Sequence, residues 1–291
     1  MLTLKEVSLR KGKRTYLDEV SFTAEAGRIT AIVGTRSAGR TELVRIIMGL
    51  ISADEGTIEL EDFELDFGDR QNFGYLPAER GGYPTMRVLD QIVYLARLHG
   101  ITLGAAERNA LTLLGHLELA DRGYAPLKNL SGAEIARVDI AATLAADPDV
   151  VVIDDAFAGL DAASLRLVTS LLRAHASSGV PVILATDDWE AAQTFADDVI
   201  ILGQGKVTAS GSVEKLLGDP HYRVETTDTE AAASALKSRT GISDVATAGR
   251  EAVSFRADDA KTAAAAVAEL KNVKNFESVR PTLAEQYKEA L

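Results

Sequence analysis

Apolar residues recur along the chain in two rhythms. Through the first 34 residues they form short β-rich runs parted by turns, "LTLKEVSL", "LDEVSFTA" and, after Gly27, "RITAIVG". The last is a compact apolar run, as expected for a strand buried on both faces. It leads straight into a glycine turn and then into "RTELVRIIMGLI", where Leu43, Ile46, Ile47 and Leu50 fall on one helical face. Residues 87–120 and 131–146 keep the helical period. "DVVVIDDAF" then predicts a buried strand ending in carboxylates, followed by the helix "DAASLRLVTSLLRAHA", the strand "PVILATDD", the helix "WEAAQTFA" and the hairpin "DVIILGQGKVTASGS". Strands alternating with helices predict a parallel sheet covered by helices on both sides.

The pattern changes near Gly218, Asp219 and Pro220. Beyond them the runs read strand, helix, strand, strand, helix, strand, the order of a small ferredoxin-like α+β unit, and "TLAEQYKEAL" adds a last helix. Two domains are therefore expected, residues 1–218 and 219–291, and 291 residues suffice for one large and one small core. Hydrophobic residues at 46% and charged residues at 25% are ordinary globular values and argue against disordered or fibrous classes. A formal charge of −12 argues against a protein built to grip nucleic acid. Cysteine is absent, which excludes disulfides and thiolate metal sites and fits a reducing cytosol. The start "MLTLKEVSLRKGK" has no apolar signal core, and no run approaches the roughly 18 apolar residues of a membrane span. Neither a membrane span nor an export signal is expected. His99, His116, His175 and His221 are too scattered to predict a metal cluster.

Chemistry enters at the glycine turn. A loop of the form GxxxxGK followed by Ser or Thr, set between a buried strand and a helix, surrounds phosphates with backbone N–H groups. Its lysine reaches the terminal phosphate and its hydroxyl holds magnesium. In Gly34, Thr35, Arg36, Ser37, Ala38, Gly39, Arg40 and Thr41 both glycines and the hydroxyl fit, and Arg40 stands where the lysine is expected. Downstream, "NLSGAEIARVDIAATLAADPDVVVIDDAFAGLD" resembles the signature-to-Walker-B block of ABC-family ATPases. "NFGYLPAERGGYPTMRVLDQIVYLARLHG" is similar to the Q-loop region of the subfamily that serves ABC-2-type exporters, and "ATDDWEAAQTFADDVIILGQGKVTASGS" to its H-loop and closing hairpin. "RPTLAEQYKEAL" is similar to the end of the small C-terminal domain many such subunits carry. The resemblance covers essentially the whole chain. It implies a P-loop NTPase ABC cassette, with a parallel core sheet, an antiparallel β subdomain and a helical subdomain, plus a ferredoxin-like C-terminal domain. It further implies ATP and Mg2+ as cofactors, two cassettes closing head to tail over two ATP molecules, and an integral-membrane permease partner. The location that follows is cytoplasmic, peripheral on the inner face of the membrane.

Several positions depart from the family pattern where its chemistry is done. By resemblance Thr41 and Asp154 hold magnesium, while the catalytic glutamate is Asp155, one methylene shorter. A carboxylate withdrawn by roughly an ångström can cost about a hundredfold in rate. The H-loop histidine is Asp187, an anion facing an anion. The Q-loop residue is Ala78, the adenine-stacking aromatic aligns with Lys11 with Tyr16 nearby but out of phase, and in the signature Ser131 and Gly132 stay while the second glycine is Ala133. The D-loop aspartate, Asp161, is kept, and Glu79 to Tyr83 lies where the family touches its membrane partner. A guanidinium still matches phosphate, so binding is expected where fast turnover is not. Arg40 and Asp187, both assigned by the family to the γ-phosphate, are expected to pair with each other when no nucleotide is present. The leading reading is an ATP-binding subunit of an ABC-2-type exporter with a hydrolysis-impaired site of its own, the regulatory or structural half of a homo- or heterodimer. The alternative is a slow but genuine ATPase working as a homodimer. A soluble ABC protein of translation or DNA repair is disfavoured by the single cassette, the lack of a long coiled-coil insertion and the acidic balance.

Overall fold

The computed structural model describes residues 1–79, 81–218, 221–280 and 282–287. The chain divides into two compact units, Met1–Val213 and Glu214–Tyr287. Of the expected boundary, Asp219 and Pro220 lie outside the described residues, as do Arg80 of the expected partner-contact segment and Pro281 and residues 288–291 of the expected last helix.

In the first unit the elements run β1 (Leu2–Lys11), β2 (Arg14–Ala24), β3 (Ile29–Gly34), α1 (Arg40–Ile47), β4 (Glu55–Leu60), β5 (Phe63–Glu64) and β6 (Phe73–Leu76). They continue with α2 (Val88–Leu98), α3 (Leu103–His116), α4 (Gly132–Leu144), β7 (Val150–Asp154), α5 (Ala162–Ala176), β8 (Val182–Thr186), α6 (Trp189–Phe195), β9 (Asp198–Gly203) and β10 (Lys206–Ser212). The short helix α7 (Val213–Leu217) spans the division between the units. A six-stranded sheet has the order β10-β9-β3-β8-β7-β6, parallel except for β10. A separate antiparallel sheet has the order β2-β1-β4-β5.

Strand periodicity divides the interior into two cores. Val150, Val152, Ile183, Ala185 and Ile32 point to one side, where they meet α1 through Leu43 and Ile47 and the antiparallel sheet through Leu2, Leu4 and Leu17. Val151, Ile153, Val182 and Leu184 point to the other side, against the helices that follow. Successive side chains leave a strand on opposite faces, so runs such as VVVI must be apolar at every position when both faces are covered. Polar side chains set the helix starts. Ser131 and Glu134 form a reciprocal capping box on α4, Asp161 accepts from Ser164 N at 2.7 Å on α5, and Asp188 accepts from Ala191 N at 2.9 Å on α6.

Two sequence readings need correction. The helix after the glycine turn ends at Ile47, Met48 caps it and Gly49 takes φ 70, so Leu50 leaves the expected apolar face and is 56% exposed. The helical stretch over residues 87–120 is two helices, broken around Gly100 at φ 85. Strands β4 and β6 have no counterpart in the expected pattern. In β4 only Ile58 of EGTIEL is buried, and β6 is four residues long.

The second unit is built from β11 (His221–Thr226), α8 (Thr229–Lys237), β12 (Ile242–Thr247), β13 (Ala252–Ala257), α9 (Ala260–Ala268) and β14 (Val273–Val279), followed by the short α10 (Leu283–Gln286). Its antiparallel order, β12-β13-β11-β14, places the first and third strands of the βαββαβ unit at the centre, the ferredoxin-like arrangement. Tyr222 stacks on Phe255 and Phe276, and the small faces of α8 and α9, Ala232, Ala233, Ala263 and Ala266, close on them. Among the described residues no helix is long and apolar enough to cross a membrane.

Ile32 is wholly buried between β8 and β9. Its replacement by alanine is expected to cost about 2–5 kcal/mol in urea unfolding. A loss well under 1 kcal/mol would show that this strand does not carry the core.

Candidate functional site

The loop that follows β3 is held by close backbone approaches. A Cβ on Gly34 would stand 2.3 Å from the carbonyl oxygen of Leu202, and one on Gly39 would stand 2.5 Å from that of Tyr16. Gly39 also takes φ 96, a left-handed conformation natural to glycine. Ala38 N donates to Thr35 O, Gly205 N to Ala38 O and Asp18 N to Gly205 O, which fastens the loop to the β9–β10 turn and through it to β2. Gly39 caps α1 with no side chain of its own, so the first amides of the helix have no side-chain cap. Thr35, Arg36 and Ser37 form the outer arc of the loop, partly or fully exposed, and Ala38 is buried beneath it.

The parallel register brings acidic groups to this loop. Val33 pairs with Thr186 and Leu184 with Ile153, so β3, β7 and β8 end side by side, and their next residues emerge at the carboxyl edge of the sheet where open α/β folds place ligands. Asp154, the last residue of β7, is only 4% exposed. Burial pushes its carboxyl above the usual aspartate range, opposed first by a hydrogen bond from Thr41 and then by the charge of Arg40. Thr41 and Asp154 thus place a hydroxyl and a carboxylate oxygen together, a donor set suited to a hard cation such as Mg2+, which takes few protein ligands and completes its shell with phosphate and water. Among the described residues no group of three or more His, Cys, Asp or Glu is arranged for a metal. Asp155, half-buried, adopts φ 55 just past the strand end, a left-handed geometry that aspartate tolerates.

Asp187, directly after β8, lies between two arginines of the loop. Its carboxylate is 3.7 Å from the Arg40 guanidinium and 3.6 Å from that of Arg36, within ion-pair range and beyond hydrogen-bond range. The expected pairing of Arg40 with Asp187 is present in this form. Arg40 is the inner partner, its side chain 12% exposed against 45% for Asp187 and 94% for Arg36. Burial lowers the Arg40 pKa, and Asp187, Asp154 and Asp155 each push it back up. Its Nε is buried and makes no hydrogen bond.

The remaining expected positions lie in other parts of the unit. Ser131 and Gly132 open α4, both exposed, and the Ser131 hydroxyl donates to Glu134 at 2.8 Å. Glu134 is also paired with Arg122 at 3.0 Å, and hydrogen bonds from Ser131 hold its carboxyl below the usual range. Asp161 is occupied as the cap of α5. Lys11 stands over the ring of Tyr16 at 5.6 Å, and Ala78 is exposed. Sequence reasoning missed Tyr75, which the β6–β7 pairing brings beside Val152. Burial and then Asp154 raise its pKa, while Arg45 donates a hydrogen bond to it. Its signal was a tyrosine three residues before Ala78 in a run too short to be read as a strand.

Residues 17–158 match the family model described as "ABC transporter". The chain is 31% identical over 235 residues to the methionine import ATP-binding protein MetN 1 of Rhodococcus jostii, covering 76% of this chain and 69% of that protein. It is 27% identical over 220 residues to the Nod factor export ATP-binding protein I of Ralstonia nicotianae, covering 75% and 68%. The ATP-binding cassette MJ0796, solved as a dimer in a post-hydrolysis state bound to ADP and Pi, superposes over 74% of this chain and 99% of its own with a TM-score of 0.65 and 22% identity. That likeness concerns the fold.

The Arg40–Asp187 pair faces solvent on one side, so its coupling is modest. A double-mutant cycle of Arg40→Gln and Asp187→Asn in urea unfolding is expected to give about 0.2–1 kcal/mol, shrinking as salt rises. Zero coupling at low salt would mean that the two charges do not meet in solution.

Proposed function

The chain belongs to the ABC transporter family as one of its ATP-binding proteins, and from that membership we propose that it serves an ABC-2-type exporter as a subunit whose own site binds nucleotide but hydrolyses it poorly. The observation that carries this reading is the position of Asp187 between Arg36 and Arg40. In the family this position and the residue at Arg40 both address the terminal phosphate; here an intrinsic carboxylate supplies the negative charge. Arg40 and the loop amides of residues 35–41 would take the phosphates, and Thr41 with Asp154 would take Mg2+, which supplies charge neutralisation along the phosphate chain when bound. Before nucleotide can settle, Asp187 must release the arginines, and afterwards its charge opposes the phosphate. The short Asp155 adds a poorly placed general base.

The exporter assignment rests on the relative named for Nod factor export and on the Q-loop and C-terminal resemblance, while the relative named for methionine import shows that the cassette alone does not set direction. A permease partner follows from the same family, and so does a location on the cytoplasmic face of the membrane. The formal charge of −12 favours no nucleic-acid partner. Cassettes of this fold form dimers, as in the dimeric MJ0796. Within such a dimer this chain offers an exposed Ser131–Gly132 edge and an intact Asp161. It acts as the regulatory half, completing a site on a competent partner.

Removing Asp187 tests this directly. Asp187→Ala is expected to tighten ATP binding by at least about fivefold, the effect of taking away one anion about 4 Å from incoming phosphate at the screening of bulk water. Hydrolysis by the isolated chain stays near background in both forms. Mg2+-dependent phosphate release by the unmodified chain well above background, abolished by Asp154→Asn, would instead favour the alternative of a genuine ATPase working as a homodimer and overturn the regulatory role.

A further inference from the structure

The hairpin beside the glycine loop carries an unusual concentration of positive charge for so acidic a protein. Arg10, Lys11, Lys13 and Arg14 crowd its tip in a chain of net charge −12. The strands β1 and β2 pair Lys11 directly with Arg14 around the turn. Like charges opposite one another in an antiparallel ladder are unfavourable, and an anion bound at the tip would relieve the repulsion. Tyr16 lies two residues beyond Arg14, at a register shift of the β1–β2 ladder where Leu9 pairs with Leu17 and Arg10 with Thr15. Its carbonyl oxygen is the atom that leaves no room for a Cβ at Gly39, so the residue abuts the phosphate loop itself.

The ring of Tyr16 is already engaged. The Arg14 guanidinium sits over it with Cζ 4.5 Å from the ring centroid, and the Lys11 ammonium is 5.6 Å away. Guanidinium over a ring is a favourable cation–π and stacking arrangement. A base stacking on this ring must first displace Arg14. What the tip presents toward an incoming ligand is therefore cationic N–H groups on exposed side chains, at Lys11, Lys13 and Arg14 and at Arg10, the last paired with Glu55 at 3.7 Å. Such groups match phosphate oxygens and read no base edge.

We infer that this site recognises its nucleotide through the phosphate chain and not through the base, so that its ligand class is nucleoside triphosphates irrespective of base, with inorganic tripolyphosphate as a full competitor. The cationic tip of the first hairpin and Arg40 of the loop supply the contacts, and Tyr16 serves as the platform that positions Arg14. This rests on the nucleotide-binding reading above and specifies its ligand.

The test uses the full chain with ATP, GTP and inorganic tripolyphosphate, each displacing a fluorescent ATP analogue at fixed ionic strength. A base stacked on a free ring would raise affinity by roughly five- to a hundredfold. The expected result is agreement of the three dissociation constants within about threefold. Arg14→Ala removes a cation and uncovers the Tyr16 ring, so it should weaken tripolyphosphate, an effect that added salt diminishes, and open a preference for both nucleotides over tripolyphosphate. Preference for ATP, or for ATP and GTP together, over tripolyphosphate by more than about tenfold would overturn the inference while leaving the nucleotide site in place. So would Tyr16→Ala if, with an unchanged melting temperature, it weakened ATP and spared tripolyphosphate. If the chain binds none of the three ligands, the proposed nucleotide site fails and this inference fails with it. The comparison of ligands on the unmodified chain needs no variant, so a folding defect in either substitution does not remove the test.

Discussion

The parallel register of β3, β8 and β7 is the constraint from which the rest of the site follows. Because Val33, Thr186 and, one strand further, Asp154 end at the same edge of the sheet, three connections leave the core within reach of one another. The first is the glycine loop, the second begins with Asp187, and the third begins with Asp155. Covering both faces keeps β3, β7 and β8 free of charged residues until the edge is reached, with Thr30 a buried polar residue inside β3. Charged residues therefore appear only where the strands stop. Gly34 and Gly39 then let the loop lie against Leu202 and Tyr16 at distances a side chain would forbid.

Charge around Arg40 follows from that geometry. One guanidinium, mostly withdrawn from water, faces Asp187, Asp154 and Asp155, and a second, Arg36, meets Asp187 from the solvent side. Burial alone disfavours the Arg40 charge, and the three aspartates compensate. The loop is thus internally balanced before any ligand arrives. An incoming phosphate has to compete with a carboxylate for the same cations, while Thr41 and Asp154 already hold each other by a hydrogen bond. At the hairpin tip, by contrast, Lys11 and Arg14 oppose each other over the ring of Tyr16.

Much of this was legible in the residues. The strand, glycine loop and helix, the buried strand DVVVIDDAF and the βαββαβ order all come from local rules that act over a few residues. Strands β4 and β6 escaped because local rules need a strong local pattern: Ile58 is the lone buried residue of its strand, and FGYL is too short to show a period. Leu50 misled for a related reason. Its spacing continues the apolar stripe of α1, but Gly49 ends the helix one residue earlier and turns the stripe out to solvent.

The sequence by itself determined which residue types stand at the strand ends and in the loop, because burial on two faces leaves charge nowhere else to go. It also determined the family resemblance, whose motifs are contiguous. Tertiary structure alone decided that Asp187 also meets Arg36, that Tyr75 stands near Asp154, and that Arg14 covers the ring of Tyr16. These contacts join segments separated by up to 151 residues or turn on which face of a strand a side chain leaves. Spacing along the chain carries no information about such distances until the sheet register has set them.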